Sequence, residues 1–208
     1  MTRTLRWWPV IAGSIALSSV LLAVGCSTTA PPERFHTLLP GDRAIGTAAT
    51  VNPVHIDVAA VGVPPQVDHA QWVVRQADDS LLMLEQDRWA APLRDELRSA
   101  IVDRLAARWS AIDVRSVAAA APASWRLRVD VQRFESIPGR EARLEATWSL
   151  SPSRPGTPVL VCRSSFSDTV AGADVAALAA AHRRVVVKLA DEIGQRLAAL
   201  HNGSTAGC

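Results

Sequence analysis

The sequence predicts an α+β domain: a mixed, largely antiparallel sheet with two amphipathic helices packed on it. Two segments carry apolar residues at helical spacing, one around residues 89–109 and one around 174–200. Between them lie three consecutive segments whose apolar residues alternate with polar ones, the mark of half-buried strands in an antiparallel meander. A further strand and a hairpin pattern precede the first helix.

In chain order, residues 27–53 are rich in Thr, Ala, Pro and Gly and read as a tether, with one short edge strand around Phe35–Leu39. Val54 to Val61 alternates and reads as a strand. Gln71–Arg75 and Leu81–Glu85 flank the turn-forming run Ala77-Asp78-Asp79-Ser80 and together read as a hairpin. Trp89, Leu93, Leu97, Ile101, Leu105 and Trp109 recur every four residues, which predicts a helix with Pro92 in its first turn, where its missing amide hydrogen costs nothing.

Ile112–Val117 is read as a short strand. An alanine-rich turn ending at Pro122 leads into Trp125, Leu127, Val129 and Val131, which alternate with Arg126, Arg128, Asp130 and Gln132. Phe134 breaks that phase, as a bulge would. Alternation resumes through Ala142, Leu144, Ala146, Trp148 and Leu150, and a third strand covers Val159 to Phe166. Val175, Leu178, Val185, Leu189, Ile193, Leu197 and Leu200 then mark the long second helix.

The start of the chain has a different character. Arg3 and Arg6 precede an uncharged run from Trp7 to Val24, closed by Gly25 and Cys26, the layout of a secretory signal peptide. Leu21-Leu22-Ala23-Val24-Gly25-Cys26 resembles a bacterial lipobox, which implies cleavage before Cys26 and a diacylglyceryl group on its sulfur. The lipobox favours Leu where Ala23 stands. A retained anchor helix and a plain secreted protein are the other readings of this leader. Pro9, Gly13 and three serines dilute the run against the about 20 apolar residues that a span needs. Ser27 occupies the place where an inner-membrane retention signal would put Asp, which points to the outer membrane.

The domain layout is therefore residues 1–25 as signal peptide, 26–53 as lipidated N-terminus and tether, 54–201 as one α+β domain and 202–208 as a flexible tail. The net charge of +2 comes from Arg3 and Arg6, since every acid lies after Cys26 and the mature chain is balanced. With no block of like charge, nothing suggests a nucleic-acid groove. Cys162 and Cys208 remain once Cys26 is lipidated, and an oxidising compartment permits them to pair. Cys162 falls in a strand pattern and Cys208 ends a polar tail, so a buried free thiol at Cys162 is the simpler reading.

No catalytic, cofactor or metal residues are expected. His36, His55, His69, His182 and His201 are scattered, without HExxH or Cys/His spacing for a metal. There is no Gly-x-Ser-x-Gly elbow, and Ser164, Ser165 and His182 are ordinary strand and helix residues unless the fold assembles them into a hydrolase. Arg75, Arg88 and Trp89 are candidate partner or subunit contacts, because arginine beside tryptophan is common at interfaces. The alternative is that the tryptophans are core anchors with solvated arginines beside them.

Three stretches together resemble the PqiC/YmbA family of auxiliary lipoproteins of ABC-type and MCE (mammalian cell entry) intermembrane transport systems. They are Pro65 to Arg75, with His69 and Ala70 where the family has Arg and Pro; Arg88-Trp89-Ala90-Ala91-Pro92-Leu93; and Arg133-Phe134-Glu135 followed by Leu144, Ala146 and Trp148. The resemblance implies a non-enzymatic lipoprotein held by its acyl anchor (diacylglyceryl and palmitate chains) among outer-membrane lipids on the periplasmic leaflet. It further implies a PqiB-like, MCE-domain, periplasm-spanning partner that conducts lipids between the membranes, with a homo-oligomer matching the symmetric end of a tube. The alternative is a free-standing periplasmic lipid-binding lipoprotein.

Overall fold

The computed structural model describes residues 31–41, 53–116, 125–153, 159–204 and 207–208. The leader, Cys26 and the alanine-rich turn before Pro122 lie outside the described residues. Within the described residues the chain runs β1 (Arg34–His36), β2 (Val54–Val58), β3 (Gln71–Arg75), β4 (Leu81–Trp89), α1 (Leu93–Trp109), β5 (Ala111–Asp113), β6 (Trp125–Ile137), β7 (Glu141–Pro152), β8 (Leu160–Thr169) and α2 (Val175–His201). Residues Glu33–Cys208 form one compact unit.

The fold is α+β, with the strands divided between two sheets of order β1-β4-β3 and β5-β2-β6-β7-β8. The meander β6-β7-β8 is antiparallel, whereas β2 runs parallel to both β5 and β6, and β1 parallel to β4. A β-bulge between Val131 and Arg133 shifts the phase of β6, so that Phe134 and Ser136 point inward after Val131. Of the predicted strand, Ile112 and Asp113 are strand, and Asp113 caps a 3₁₀ turn over Val114–Ser116 by accepting from the Arg115 amide and holds the Arg98 guanidinium; Val117 lies outside the described residues.

The first helix begins at Leu93, one position past Pro92, whose carbonyl accepts from the Asp95 and Glu96 amides. Trp89 is not part of it. It ends β4, on the face that also buries Asp87, because Pro92 cannot sit within a helix and its predecessor is held extended. The second helix is capped by Asp174, whose side chain accepts from the Ala177 amide at 2.6 Å.

Both helices lie over one face of the larger sheet, burying Leu97, Ile101 and Leu105 of α1 and Leu178, Val185, Leu189 and Ile193 of α2 against Leu127, Val129, Leu144, Ala146 and Trp148. Trp109 of α1 lies so close to Gly194 of α2 that a Cβ there would collide with its indole. Arg104 clamps Asp191 across the same crossing with two hydrogen bonds of 2.8 Å.

Cys162 and Cys208 form a disulfide. The free-thiol reading fails because Cys162 points to the inner face of the edge strand β8, and the tail beyond α2 returns to it.

Candidate docking surface

An aromatic cluster joins the two sheets. Trp72 of β3 and Trp89 of β4 stack with ring centroids 3.9 Å apart, His36 of β1 meets Trp72 edge-on, and Phe134 of β6 stacks on His182 of α2 at 4.0 Å. Trp72 donates its indole N–H to Ser136 at 2.9 Å, and Ser136 lies 2.8 Å from His182 Nε2. His182 is fully buried, and burial lowers its pKa to about 3, so the imidazole is neutral at any physiological pH.

This arrangement fixes what the candidate residues do. Trp89 is a core residue, 5% exposed. Arg75 reaches from β3 to Glu135 of β6 at 2.7 Å and donates to the Asp79 carbonyl at 3.0 Å, pinning the β3–β4 turn to the larger sheet. Asp79 itself takes a left-handed conformation in that turn, at φ 65°. Arg88 pairs with Glu33 at 2.9 Å. Arg75 and Arg88 are therefore not neighbours acting together, since they lie toward opposite ends of the sheet β1-β4-β3.

Ser164, Ser165 and His182 are not brought together. Ser164 is buried and accepts from the Trp148 indole at 2.8 Å, Ser165 points to solvent from the other face, and His182 faces Ser136. Among the described residues no group of His, Cys, Asp and Glu could hold a metal ion, and no helix is long and apolar enough to cross a membrane.

The N-terminal segment is stitched down from β1 onward. Asp87 of β4 accepts from Arg34 at 2.6 and 3.0 Å and lies 2.8 Å from His36 Nε2. Burial alone would raise the pKa of Asp87, but the hydrogen bonds from Arg34 and His36 outweigh it and hold the carboxyl below its ordinary value. Glu96 of α1 then takes Thr37 and the Leu38 amide at 2.7 and 2.8 Å.

Exposed apolar residues occur on β1 (Phe35) and at β8 (Val159, Val161), and three successive ones lie at the far end of the hairpin. Leu81, Leu82 and Met83 are 48%, 44% and 37% exposed. Open clefts lie on both sides of this tip. One, of about 270 Å³, is bordered by Leu81, Arg75 and Phe134; the other, of about 380 Å³, by Leu82, Leu84, Ile137 and Val175. The pairing of Arg34 with Asp87 and of Arg75 with Leu81 separates this tip from β1 by six residues of β4, roughly 20 Å. The sequence carried a signal for this surface that the hairpin reading passed over: four successive apolar residues in a strand necessarily place apolar groups on both faces.

The two sheets, covered on one face by two helices, define an α+β domain. Residues 36–194 match the model of the ABC-type transport auxiliary lipoprotein component, and the chain belongs to that family. Its fold is similar to that of a crystal structure of an uncharacterized protein, with TM-score 0.64, 13% identity and coverage of 80% of this chain and 99% of that one. It is similar also to a Xanthomonas campestris protein of the DUF330 family, with TM-score 0.60, 23% identity and coverage of 76% and 91%. A putative lipoprotein from Caulobacter crescentus aligns at 24% identity and TM-score 0.38, over 53% of this chain and 84% of that one. No curated protein matches.

Proposed function

We propose that this chain is the outer-membrane component of an MCE/Pqi-type transport system, anchored through an acylated Cys26 and docking a PqiB-like, periplasm-spanning MCE-domain protein so that lipids pass between the two membranes. In this role it acts by binding, not by catalysis. The observation that carries the reading is the exposed Leu81-Leu82-Met83 tip, flanked by two clefts and held rigid by the Arg75 to Glu135 clamp. An apolar surface of this kind is what a partner protein covers. It lies about 20 Å along β4 from the position opposite Arg34.

Membrane separation tests the anchoring half of this proposal. The native chain should sediment with the outer membrane, and Cys26→Ala should release it to the soluble fraction. Recovery of the native chain with the inner membrane, or in soluble form, would remove the basis for outer-membrane docking. The cleft between Leu82, Leu84, Ile137 and Val175 favours a second reading, a lipoprotein that itself holds one acyl chain. Lipid extracted from the purified Cys26→Ala chain, which lacks the acyl anchor, would support it.

A further inference from the structure

A second surface lies on α2, about 18 Å along the helix from Val175, which borders the cleft at the hairpin tip. Leu39 and Pro40 form one bank of an open groove of about 910 Å³; Arg183, Arg184, Val187 and Lys188 form the other. Leu39 and Val187 are 37% and 38% exposed, so apolar groups stand among the cations. Arg183 donates to the Thr37 carbonyl at 3.1 Å, which ties this turn of α2 to the segment following β1. Arg184 and Lys188 reach Asp168 at 3.1 and 3.0 Å, and also donate to the Thr169 and Ser167 carbonyls on the edge of β8. Among the described residues Asp168 is the acid lining the groove, so there three cations face one carboxylate and the surface is positive.

The length of chain before β1 limits how far the domain stands from the membrane. Six residues separate Cys26 from Glu33, a reach of at most roughly 25 Å when fully extended. An acylated Cys26 therefore holds the β1 end of the domain close to lipid headgroups. Leu39, on the segment that follows β1, and Val187, among the cations of α2, together match an interface carrying anionic headgroups.

We propose that the groove between Leu39-Pro40 and the Arg183–Lys188 turn of α2 is the membrane-facing surface of the domain, seating anionic phospholipid headgroups of the bilayer that holds the N-terminus. The inference rests on the lipid-anchor reading of Cys26. It orients the molecule, with α2 and residues 37–41 on the membrane and the Leu81-Leu82-Met83 tip directed into the periplasm. Each cation at such a surface is worth about fivefold in occupancy, about 1 kcal/mol.

The test uses the full lipidated chain in vesicles of phosphatidylethanolamine and phosphatidylglycerol, with an environment-sensitive label at Val187→Cys, Leu39→Cys or, as the distal control, Leu82→Cys. Lipids carrying a quencher near the headgroup should quench the labels at 187 and 39 several-fold more than the label at 82. The difference should shrink about fivefold in Lys188→Gln, and further in vesicles of phosphatidylcholine alone, while the protein still floats with the vesicles. Flotation with equal quenching at all three positions, or with quenching indifferent to phosphatidylglycerol, overturns this inference and leaves the anchor intact. Failure to float at all overturns both.

Discussion

Ser136 Oγ and His182 Nε2 lie 2.8 Å apart in the centre of the protein, with the Trp72 indole donating to the same hydroxyl and Phe134 stacked on the imidazole. A serine and a histidine at this distance would suggest nucleophile and base in an open site. Here both are buried, His182 Nδ1 has no hydrogen-bond partner among the described residues, and the pair serves to join the two sheets to α2.

The burial of His182 has a pH consequence. Its folded pKa of about 3 lies below the ordinary 6.5, so the unfolded chain binds a proton that the folded chain refuses. Stability is constant above the unfolded value and falls as pH drops from about 6.5 toward 3, by about 1.4 kcal/mol per unit. Asp57, Asp87 and Asp168 all have lowered pKa values, so their losses set in only at the acid end of this window. Denaturant titrations at pH 7, 6, 5 and 4.5, roughly spanning that window, should show the slope in the native chain and not in His182→Gln. NMR should find an imidazole that does not titrate above about pH 4.

Gly194→Ala provides a test by sign. In an open helix the change would add about 1 kcal/mol of stability. Against the Trp109 indole it should instead cost about 1 to 3 kcal/mol. In the Trp109→Ala background the same substitution should become neutral or stabilising, which thermal unfolding of the four variants would measure.

Asp87 holds β1 to β4 through Arg34 and His36. Asp87→Ala should cost about 2 kcal/mol, because it removes charge-assisted hydrogen bonds from a buried site. The loss should be local. Hydrogen exchange at residues 34–38 should accelerate well before that of β6 and β7, and a uniform acceleration would show that β1 belongs to the global folding unit.

The disulfide closes a loop with a sequence separation of 46 residues. Cys208→Ser should lower stability by about 2 to 4 kcal/mol, measured as a fall in the unfolding midpoint that reductant reproduces in the native chain. Reductant should leave the variant's midpoint unchanged.

The elements were legible because local periodicity writes them: the alternation of Trp125 to Val131 and of Ala142 to Leu150, and the stripes of both helices, all correspond to described elements. The Phe134 phase break is the bulge in β6. Trp89 satisfied two patterns, four residues before Leu93 and two after Asp87, and only the β4 pairing with Phe35 and His36 resolves it as strand. Partnership was not legible. Nothing local states that β1 pairs with a strand some 50 residues away, that the strands split between two sheets, or that Cys208 returns to Cys162. Of the candidate contacts, Arg75 borders the clefted tip, whereas Trp89 is enclosed by the aromatic cluster. Cys26 lies outside the described residues.

The most direct test of the docking role is a pull-down of the native lipoprotein from gently solubilised envelopes, with Leu82→Asp alongside and mass spectrometry of both. Leu82 is half-exposed on the tip, so the substitution should leave the fold intact. An MCE-domain protein should be recovered with the native chain and lost with the variant. Recovery of the lipoprotein alone, or equal recovery of the partner with both chains, would contradict the docking role.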